Sequence, residues 1–245
     1  MNFGFKVVNQ PGNEEIVEKI LTHAAFNGNP VEVGLFWADV DIDFKKWSHA
    51  INYYGHASHE IAVSNFIEEE AGDIDRLVDI GAKQIILHLT IHNSPVPSGI
   101  MSRLEYINDF AKERNIVFLL ENTYWGLDFY KKLFLAAASF QRIGFCCDLG
   151  HAKIYDHSTI YQWLDFAHNT SLYRPIHYHL HLNHGLEDEH LSFLEFEDRE
   201  DWYVGRNSYK RLFASLDDNK AAKIFEVEPC VALENMEVFR ADLRL

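Results

Sequence analysis

The chain has 245 residues, of which 47% are hydrophobic, and its 22 basic and 37 acidic side chains give a formal net charge of −15. This composition predicts a folded chain with a sizeable core and argues against disorder. The negative charge argues against a broad basic surface for nucleic acid, because phosphate contacts supply most nonspecific affinity for DNA. No apolar run approaches the roughly 18 residues that a membrane-spanning helix needs, so we expect no membrane partner.

The N-terminal segment and the cysteines favour a reducing compartment. Residues 1–10 lack the basic and then apolar pattern of a signal peptide, so nothing indicates export. The three cysteines, which include the adjacent Cys146 and Cys147, do not make a disulfide framework. We therefore expect the protein to be cytoplasmic.

Apolar runs typical of strands recur along the chain and alternate with helical patterns. The predicted strands cover residues 3–8, 31–37, 51–56, 84–90, 116–121, 142–148, 176–182 and 223–228. The predicted helices cover residues 13–27, 44–50, 59–80, 103–114, 124–140, 158–169 and 207–216, and residues 185–205 form a long loop. This alternation predicts an α/β fold, a closed (β/α)8 TIM barrel with a single domain over residues 1–245. A doubly wound open sheet is the alternative, but no glycine-rich G-x-G-x-x-G turn follows the first strand.

Carboxylate or imidazole side chains stand at the ends of most of the predicted strands. They are His56, His88, Glu121, Asp148 with nearby His151, His181 and Glu226. Because the C-terminal ends of barrel strands meet at one mouth, we expect these side chains to converge. A set of carboxylates with imidazoles suits Mn²⁺, Mg²⁺ or Zn²⁺. The sequence therefore predicts a polynuclear metal centre at the barrel mouth.

The two-residue period of a strand ranks the candidates further, because side chains two apart share a face. His177, His179 and His181 all face one way, and only His181 is predicted to reach the mouth. The two deeper histidines are interpreted as packed or supporting groups. Glu226 and Glu228 also share a face, and Glu226 is preferred as the strand-eight ligand because it follows an apolar pair.

Several of these segments resemble the xylose isomerase-like superfamily of barrels, and most closely its endonuclease IV type (AP endonuclease family 2). GFCCDLGH at residues 144–151 resembles the signature in which a cysteine precedes an Asp-x-x-His. LLENT at 119–123 and HAS at 56–58 are similar to its Leu-Glu-Asn-Thr and His-Ala-Pro segments. HLN at 181–183 and DEH at 188–190 resemble its His-x-Asn and Asp-x-His ligands.

The resemblance implies a trinuclear site of divalent ions, with zinc first and manganese or magnesium as alternatives. Its ligands would be His56, His88, Glu121, Asp148, His151, His181, Asp188, His190 and Glu226. The isomerases share Glu121, Asp148, His181 and Glu226 and therefore need one ion. His151, Asp188 and His190 would hold a third ion that isomerases lack.

The chain also departs from the endonuclease pattern. Where those enzymes place a wedge that enters the abasic gap, this chain has His59 and Glu60, and a glutamate there would be repelled by phosphate. Duplex DNA is therefore not the expected partner. We expect a small phosphate ester or a sugar as the substrate.

Two reaction classes fit the predicted site. The first is hydrolysis of a phosphate ester, with Glu121 bridging two ions and Glu226 as the second catalytic carboxylate. The alternative is a sugar or sugar-phosphate isomerase or epimerase, in which one ion polarises a carbonyl and Glu121 and Glu226 move a proton. A metal-binding barrel without activity is a third possibility, and an open metal cluster at a barrel mouth argues against it.

Overall fold

Eight parallel strands pair in chain order in the computed structural model, and β8 pairs with β1 to close the barrel. The (β/α)8 prediction is therefore confirmed. The structure describes residues 2–37, 40, 42–67, 71–91, 94–155, 160–193, 216 and 221–243. The strands are β1 (Phe3–Val8), β2 (Val31–Gly34), β3 (Tyr53–His56), β4 (Gln84–Leu87), β5 (Val117–Glu121), β6 (Ile143–Asp148), β7 (Ile176–Leu180) and β8 (Ala222–Phe225).

Helices connect the strands on the outside of the barrel. They are α1 (Glu14–Asn27), α2 (Gly72–Asp79), α3 (Ile100–Glu113), α4 (Leu127–Ala136), α5 (Leu149–Tyr155), α6 (Ile160–Ser171) and α7 (Pro229–Leu243), with 3₁₀ turns at Phe44–Trp47 and Val63–Asn65. None of the helices in the described part of the chain is long and apolar enough to cross a membrane. The predicted helix at 207–216 and most of the predicted loop at 185–205 lie outside the described residues.

The apolar residues of helix α1 determine which face of the helix packs against the barrel. Its buried residues are Val17, Ile20, Leu21 and Ala24, which recur at the spacing of one helical face. Full burial of each large aliphatic side chain stabilises the fold by about 1.5–3 kcal/mol. The helix ends at Gly28, whose φ of 68° is a left-handed conformation that glycine adopts without steric cost.

The predicted helix over residues 59–80 is wrong in its first half. Backbone N–H groups of Val63 and Ser64 donate instead to the carbonyls of His88 and Leu89, at 3.0 Å each. Ala62 forms an isolated parallel bridge with His88. This segment therefore pairs with the residues that directly follow β4, and the helix begins only at Gly72. Helices α5 and α7 were not among the predicted helices.

The barrel interior combines apolar and polar side chains. It contains an apolar cluster separate from the outer core, formed by Tyr54, Ile86, Leu119, Cys146, Ala222 and Ile224. Cys147 faces the helices instead and packs with the outer core. Both cysteines are fully buried, so the structure places them as small core residues. Buried polar side chains such as Lys6 and Glu32 share the interior with this cluster, and carboxylates and imidazoles lie at the C-terminal ends of the strands.

We predict that Gly144→Ala lowers the free energy of unfolding by about 1–3 kcal/mol, because the barrel wall has no room for a methyl group. A Cβ at this position would lie 2.5 Å from the Pro175 carbonyl oxygen and 2.6 Å from Leu119 Cδ2. Guanidinium unfolding followed by circular dichroism measures the loss. Gly72→Ala is the control, since a Cβ there meets nothing within 4 Å. Equal losses in the two variants would contradict the packing argument.

Candidate metal centre

The predicted ligand side chains lie at the C-terminal ends of the strands or in the segments that directly follow. His56, Glu121 and Asp148 end β3, β5 and β6, His88, His181 and Glu226 directly follow β4, β7 and β8, His151 lies in α5, and Asp188 and His190 lie after β7. The structure brings all of them to one mouth of the barrel. There they form three neighbouring groups, and the ligand atoms within each group lie within 4.8 Å of one another.

The first group, which we call the inner-edge group, contains His56, His88 and Glu121. Glu121 Oε2 lies 3.0 Å from His88 Nε2 and 3.5 Å from His56 Nε2. His56 and Glu121 are almost fully buried, whereas the His88 side chain is 13% exposed. Two imidazoles and one carboxylate oxygen are a donor set typical of zinc.

The second, central group contains Glu121, Asp148, His179 and Glu226. His179 Nδ1 lies 2.7 Å from Glu226 Oε2, 3.4 Å from Glu121 Oε1 and 3.5 Å from Asp148 Oδ2. Glu121 belongs to both this group and the inner-edge group, so one carboxylate can bridge two ions. All members of the central group are buried.

The third, outer group contains His151, His181, Asp188 and His190. The carboxylate of Asp188 lies 3.1 Å from His151 Nε2, 3.0 Å from His190 Nε2 and 3.7 Å from His181 Nε2. His190 and Asp188 are the most exposed members, with side chains 36% and 33% accessible. This group therefore forms the open side of the centre.

Backbone carbonyls orient two of the imidazoles. The Nδ1–H of His56 donates to the Ala57 carbonyl oxygen at 2.8 Å, and that of His151 donates to the Asn122 carbonyl oxygen at 3.0 Å. These tautomers are assigned from the hydrogen bonds. They leave Nε2 of each ring as a lone pair that faces the inner-edge and outer groups, the arrangement that metal-binding histidines use.

Asp148 is fixed by its neighbours on both sides. Its N–H donates to Asn122 Oδ1 at 2.7 Å, and Asn122 Nδ2 donates to the Asp148 carbonyl oxygen at 2.8 Å. Asp148 also directly precedes α5, and its Oδ1 accepts the backbone N–H of His151 at 2.6 Å. Asp148 therefore caps the helix that carries His151.

The loop after β7 carries the ligands that are farthest from a strand. Leu182 and Leu191 exchange two backbone hydrogen bonds of 2.9 and 2.8 Å, which closes the loop at its base. Asn183 Nδ2 donates to the Gly150 carbonyl oxygen at 2.9 Å and ties the loop to α5. His190 has a φ of 50°, a left-handed conformation uncommon for a side-chain-bearing residue. Such backbone conformations cluster at functional sites.

The electrostatics favour cations. Burial opposes ionisation of Glu121, but His179 and His88 outweigh it and hold its pKa well below the ordinary value. Burial also opposes ionisation of Glu226, and His179 and Lys6 again lower its pKa. For Asp148, burial is outweighed by His151 and His181, so its pKa is lowered as well. The carboxylates are therefore ionised at neutral pH.

Orphaned buried atoms test whether metal ions fit this site. Glu121 Oε2, Glu226 Oε2, His179 Nδ1 and His181 Nδ1 are buried and lack a hydrogen bond of good geometry to any described residue. Glu226 Oε2 lies 2.7 Å from His179 Nδ1 and Glu121 Oε2 lies 3.0 Å from His88 Nε2, so these contacts are ion pairs without aligned hydrogen bonds. Buried polar atoms are normally paired, so unpaired ones need an explanation. The first three of these atoms point into the ligand groups, where a divalent cation would satisfy them. The residues present therefore fit a bound metal.

The structure adds three charged residues that the sequence interpretation missed. His179 lies in the central group, although it was interpreted as a packed or supporting residue. Glu32 on β2 and Lys6 on β1 lie beneath the central group, and Lys6 contacts the Glu226 carboxylate. Both occupy interior positions of strands with apolar neighbours in sequence, and that pattern was the available signal.

Two further expectations about the site are resolved by position. Glu226 is 4% exposed and lies in the central group, whereas Glu228 is exposed, so Glu226 is the strand-eight candidate. His151, three residues beyond the end of β6, lies in α5. A deeper trio of Cys146, His177 and His179 also exists. Burial raises the pKa of the Cys146 thiol, which keeps the free thiol protonated at neutral pH.

Comparison with known proteins gives the family and the fold. The family described as xylose isomerase-like TIM barrel matches residues 41–245. A xylose isomerase domain-containing protein from Salmonella typhimurium LT2 has a TM-score of 0.63 at 12% identity, covering 100% of this chain and 97% of that chain. The xylose isomerase domain protein from Planctomyces limnophilus has a TM-score of 0.58 at 12% identity, covering 99% and 95%.

An N-acetylmannosamine-6-phosphate 2-epimerase from Clostridium perfringens has a TM-score of 0.51 at 10% identity, covering 100% of this chain and 93% of that chain. At such identities the similarity shows a shared fold alone. No curated protein sequence matches the chain.

We predict that Gly150→Ala weakens zinc binding by about 10-fold or more, the size of effect expected when a metal ligand loses its support. A Cβ at Gly150 would overlap the imidazole ring of His181, so the ring must leave its position in the outer group. Zinc titration against a competing chelator measures the change. Gly72→Ala again serves as the control. Zinc affinity equal to that of the unmodified protein would show that this close packing does not position His181.

Proposed function

The chain belongs to the xylose isomerase-like TIM barrel family, and we propose that it is a metal-dependent hydrolase of a phosphate ester with its ions at the barrel mouth. The observation that carries this proposal is the outer group. An isomerase of the type considered above uses one ion on the central carboxylates, and His151, Asp188 and His190 would have no ligand role in it. A phosphate ester needs more positive charge near its oxygens, and additional ions provide that charge.

The arrangement of the groups supports this role. When bound, divalent ions at such a site supply Lewis-acid charge and make water a better nucleophile. Glu121 lies between the inner-edge and central groups and would hold their ions at a short, fixed separation. Asp188 would do the same at the open side, where its carboxylate faces His151, His181 and His190.

Access to the centre suggests how the substrate enters. Glu121, Asp148 and His181 are essentially inaccessible, whereas Asp188 and His190 are partly exposed. The phosphate group would therefore approach from the outer group, and the buried carboxylates would stay out of bulk water. Exclusion of water strengthens the electrostatic interactions within the site.

A small phosphate ester is the proposed substrate class. The net charge of −15 disfavours a long polyanion. Glu60, which follows His59 near the inner-edge group, is exposed and would repel a DNA backbone. The ring of His59 lies 5.3 Å from that of His88 and 5.3 Å from that of Phe36. These rings would form one edge of a compact binding site.

A sugar or sugar-phosphate isomerase or epimerase is the second candidate function. The observation that favours it is the central group. Without help from the other groups, it offers three carboxylates and an imidazole around one point, which is enough to hold one ion. Glu121 and Glu226 would then move the proton next to a carbonyl. The outer group would be a binding site for a substrate phosphate or a structural feature.

The number of bound ions separates the two candidates. We expect close to three zinc ions per chain after reconstitution of chelator-treated protein, because the inner-edge, central and outer groups can each hold one ion. Elemental analysis after removal of free zinc gives this number. A single ion that is lost on Glu226→Gln replacement would favour the isomerase instead.

We predict that His190→Ala lowers phosphodiesterase activity on bis-p-nitrophenyl phosphate by at least about 100-fold, since even outer partners of metal sites contribute 10–100-fold. His184→Ala is the matched control. It removes a histidine of the same loop that contacts Glu189 and is not a member of the inner-edge, central or outer group. Near-native hydrolysis by the His190 variant would reject the hydrolase role of the outer group. Turnover of a ketose that survives in that variant would support the isomerase.

A further inference from the structure

We infer that His179, oriented by Glu32, is a ligand of the central ion, and that His181 serves the outer ion instead. The residue set implied by the family resemblance assigns His181 to the central ion and gives His179 no role. This inference rests on the metal centre proposed above, but it does not depend on which reaction the centre performs.

The register of the barrel places His179 at the height of the central carboxylates. In the pairing of β6 with β7, His179 is the direct partner of Asp148. Its Nδ1 lies within 3.5 Å of an oxygen of Glu226, Glu121 and Asp148. The ring is completely buried, and Nδ1 lacks a hydrogen bond of good geometry to a described residue. One nitrogen surrounded by three carboxylates is the geometry of a ligand that shares an ion with them.

Glu32 determines which nitrogen of His179 faces the carboxylates. The Nε2–H of His179 donates to Glu32 Oε2 at 2.9 Å, inside the barrel and away from solvent. This hydrogen bond leaves the Nδ1 lone pair directed at the central group. A carboxylate that accepts from the far nitrogen of a ligating imidazole fixes its tautomer and raises its basicity. Glu32 is therefore a positioning residue for His179.

His181 is positioned for a different ion. It lies one residue beyond the end of β7, and its Nε2 is 3.1 Å from Asp148 and 3.7 Å from Asp188. Its ring centroid is 4.4 Å from that of His190. It therefore groups with His151, Asp188 and His190, and it is not a member of the central group. The outer ion gains a fourth protein ligand by this arrangement.

His177 provides a matched control for the Glu32 and His179 pair. It lies on the same strand, is equally buried, and donates its Nε2–H to the same oxygen of Glu32 at 2.8 Å. Its ring packs against Tyr54 with centroids 4.8 Å apart, below the carboxylates of the central group. Replacement of His177 therefore disturbs the same hydrogen-bond network and removes no proposed ligand.

The direct test is a crystal structure of the zinc-loaded full chain with anomalous scattering at the zinc edge. We expect the central zinc to lie about 2.0–2.1 Å from His179 Nδ1, the usual Zn–N distance. His181 is expected to bind the outer zinc. A central zinc bound by His181, with His179 Nδ1 out of coordination range, would overturn the inference. Zinc absent from all groups would overturn both this inference and the metal centre itself.

Solution measurements test the role of Glu32 independently of activity. We expect Glu32→Gln to weaken binding of one Co²⁺ ion by about 10–100-fold and His179→Gln to weaken it at least as much. The visible absorption of that ion should change with its ligand set. His177→Gln should leave both the affinity and the spectrum unchanged. If His179→Gln fails to fold, the Glu32→Gln spectrum decides, and a spectrum identical to that of the unmodified protein would overturn the positioning role.

Discussion

Ionised groups held inside a barrel away from water are the constraint on which the rest of this structure depends. Glu32, Glu121, Asp148 and Glu226 are all nearly inaccessible to solvent. An unpaired buried charge costs several kcal/mol, so each must be offset nearby. Lys6 and the imidazoles provide part of the compensation, and the orphaned oxygen and nitrogen atoms show where it is incomplete. This incomplete pairing of buried polar atoms is the feature that supports the proposed metal centre.

The supporting interactions explain how side chains from distant segments keep one geometry. Backbone carbonyls orient His56 and His151, and the paired hydrogen bonds between Asn122 and Asp148 lock β5 to β6 at the mouth. The two backbone hydrogen bonds between Leu182 and Leu191 close the base of the loop after β7 and thereby hold Asp188 in place. Local hydrogen bonds thus define the geometry of the site.

The fold and the convergence of the strand-end side chains could be predicted because both depend on local sequence. The signal is an apolar run that ends in one carboxylate or imidazole, repeated around a barrel. The position of His179 among the carboxylates could not be predicted, because His177, His179 and His181 share a face and only the register with Asp148 decides which one reaches the carboxylates. Register is a property of strand pairing. The helix prediction for residues 59–66 was wrong for a similar reason. Ala62, Val63 and Ser64 pair with His88 and Leu89 directly after β4, and this tertiary interaction competes with helix formation.

Asp148 performs two tasks with one side chain, and this limits what can replace it. Its Oδ1 caps the start of α5 by accepting the backbone N–H of His151, while its Oδ2 faces His179 and His181. Asparagine would still begin the helix, because it is as good a cap as aspartate, but it would remove a negative charge. Glutamate would keep the charge and lose the short reach that the helix start requires. Replacement of one carboxylate oxygen by the NH₂ group of asparagine would therefore separate the two tasks, since the start of the helix would be kept and the negative charge would be lost.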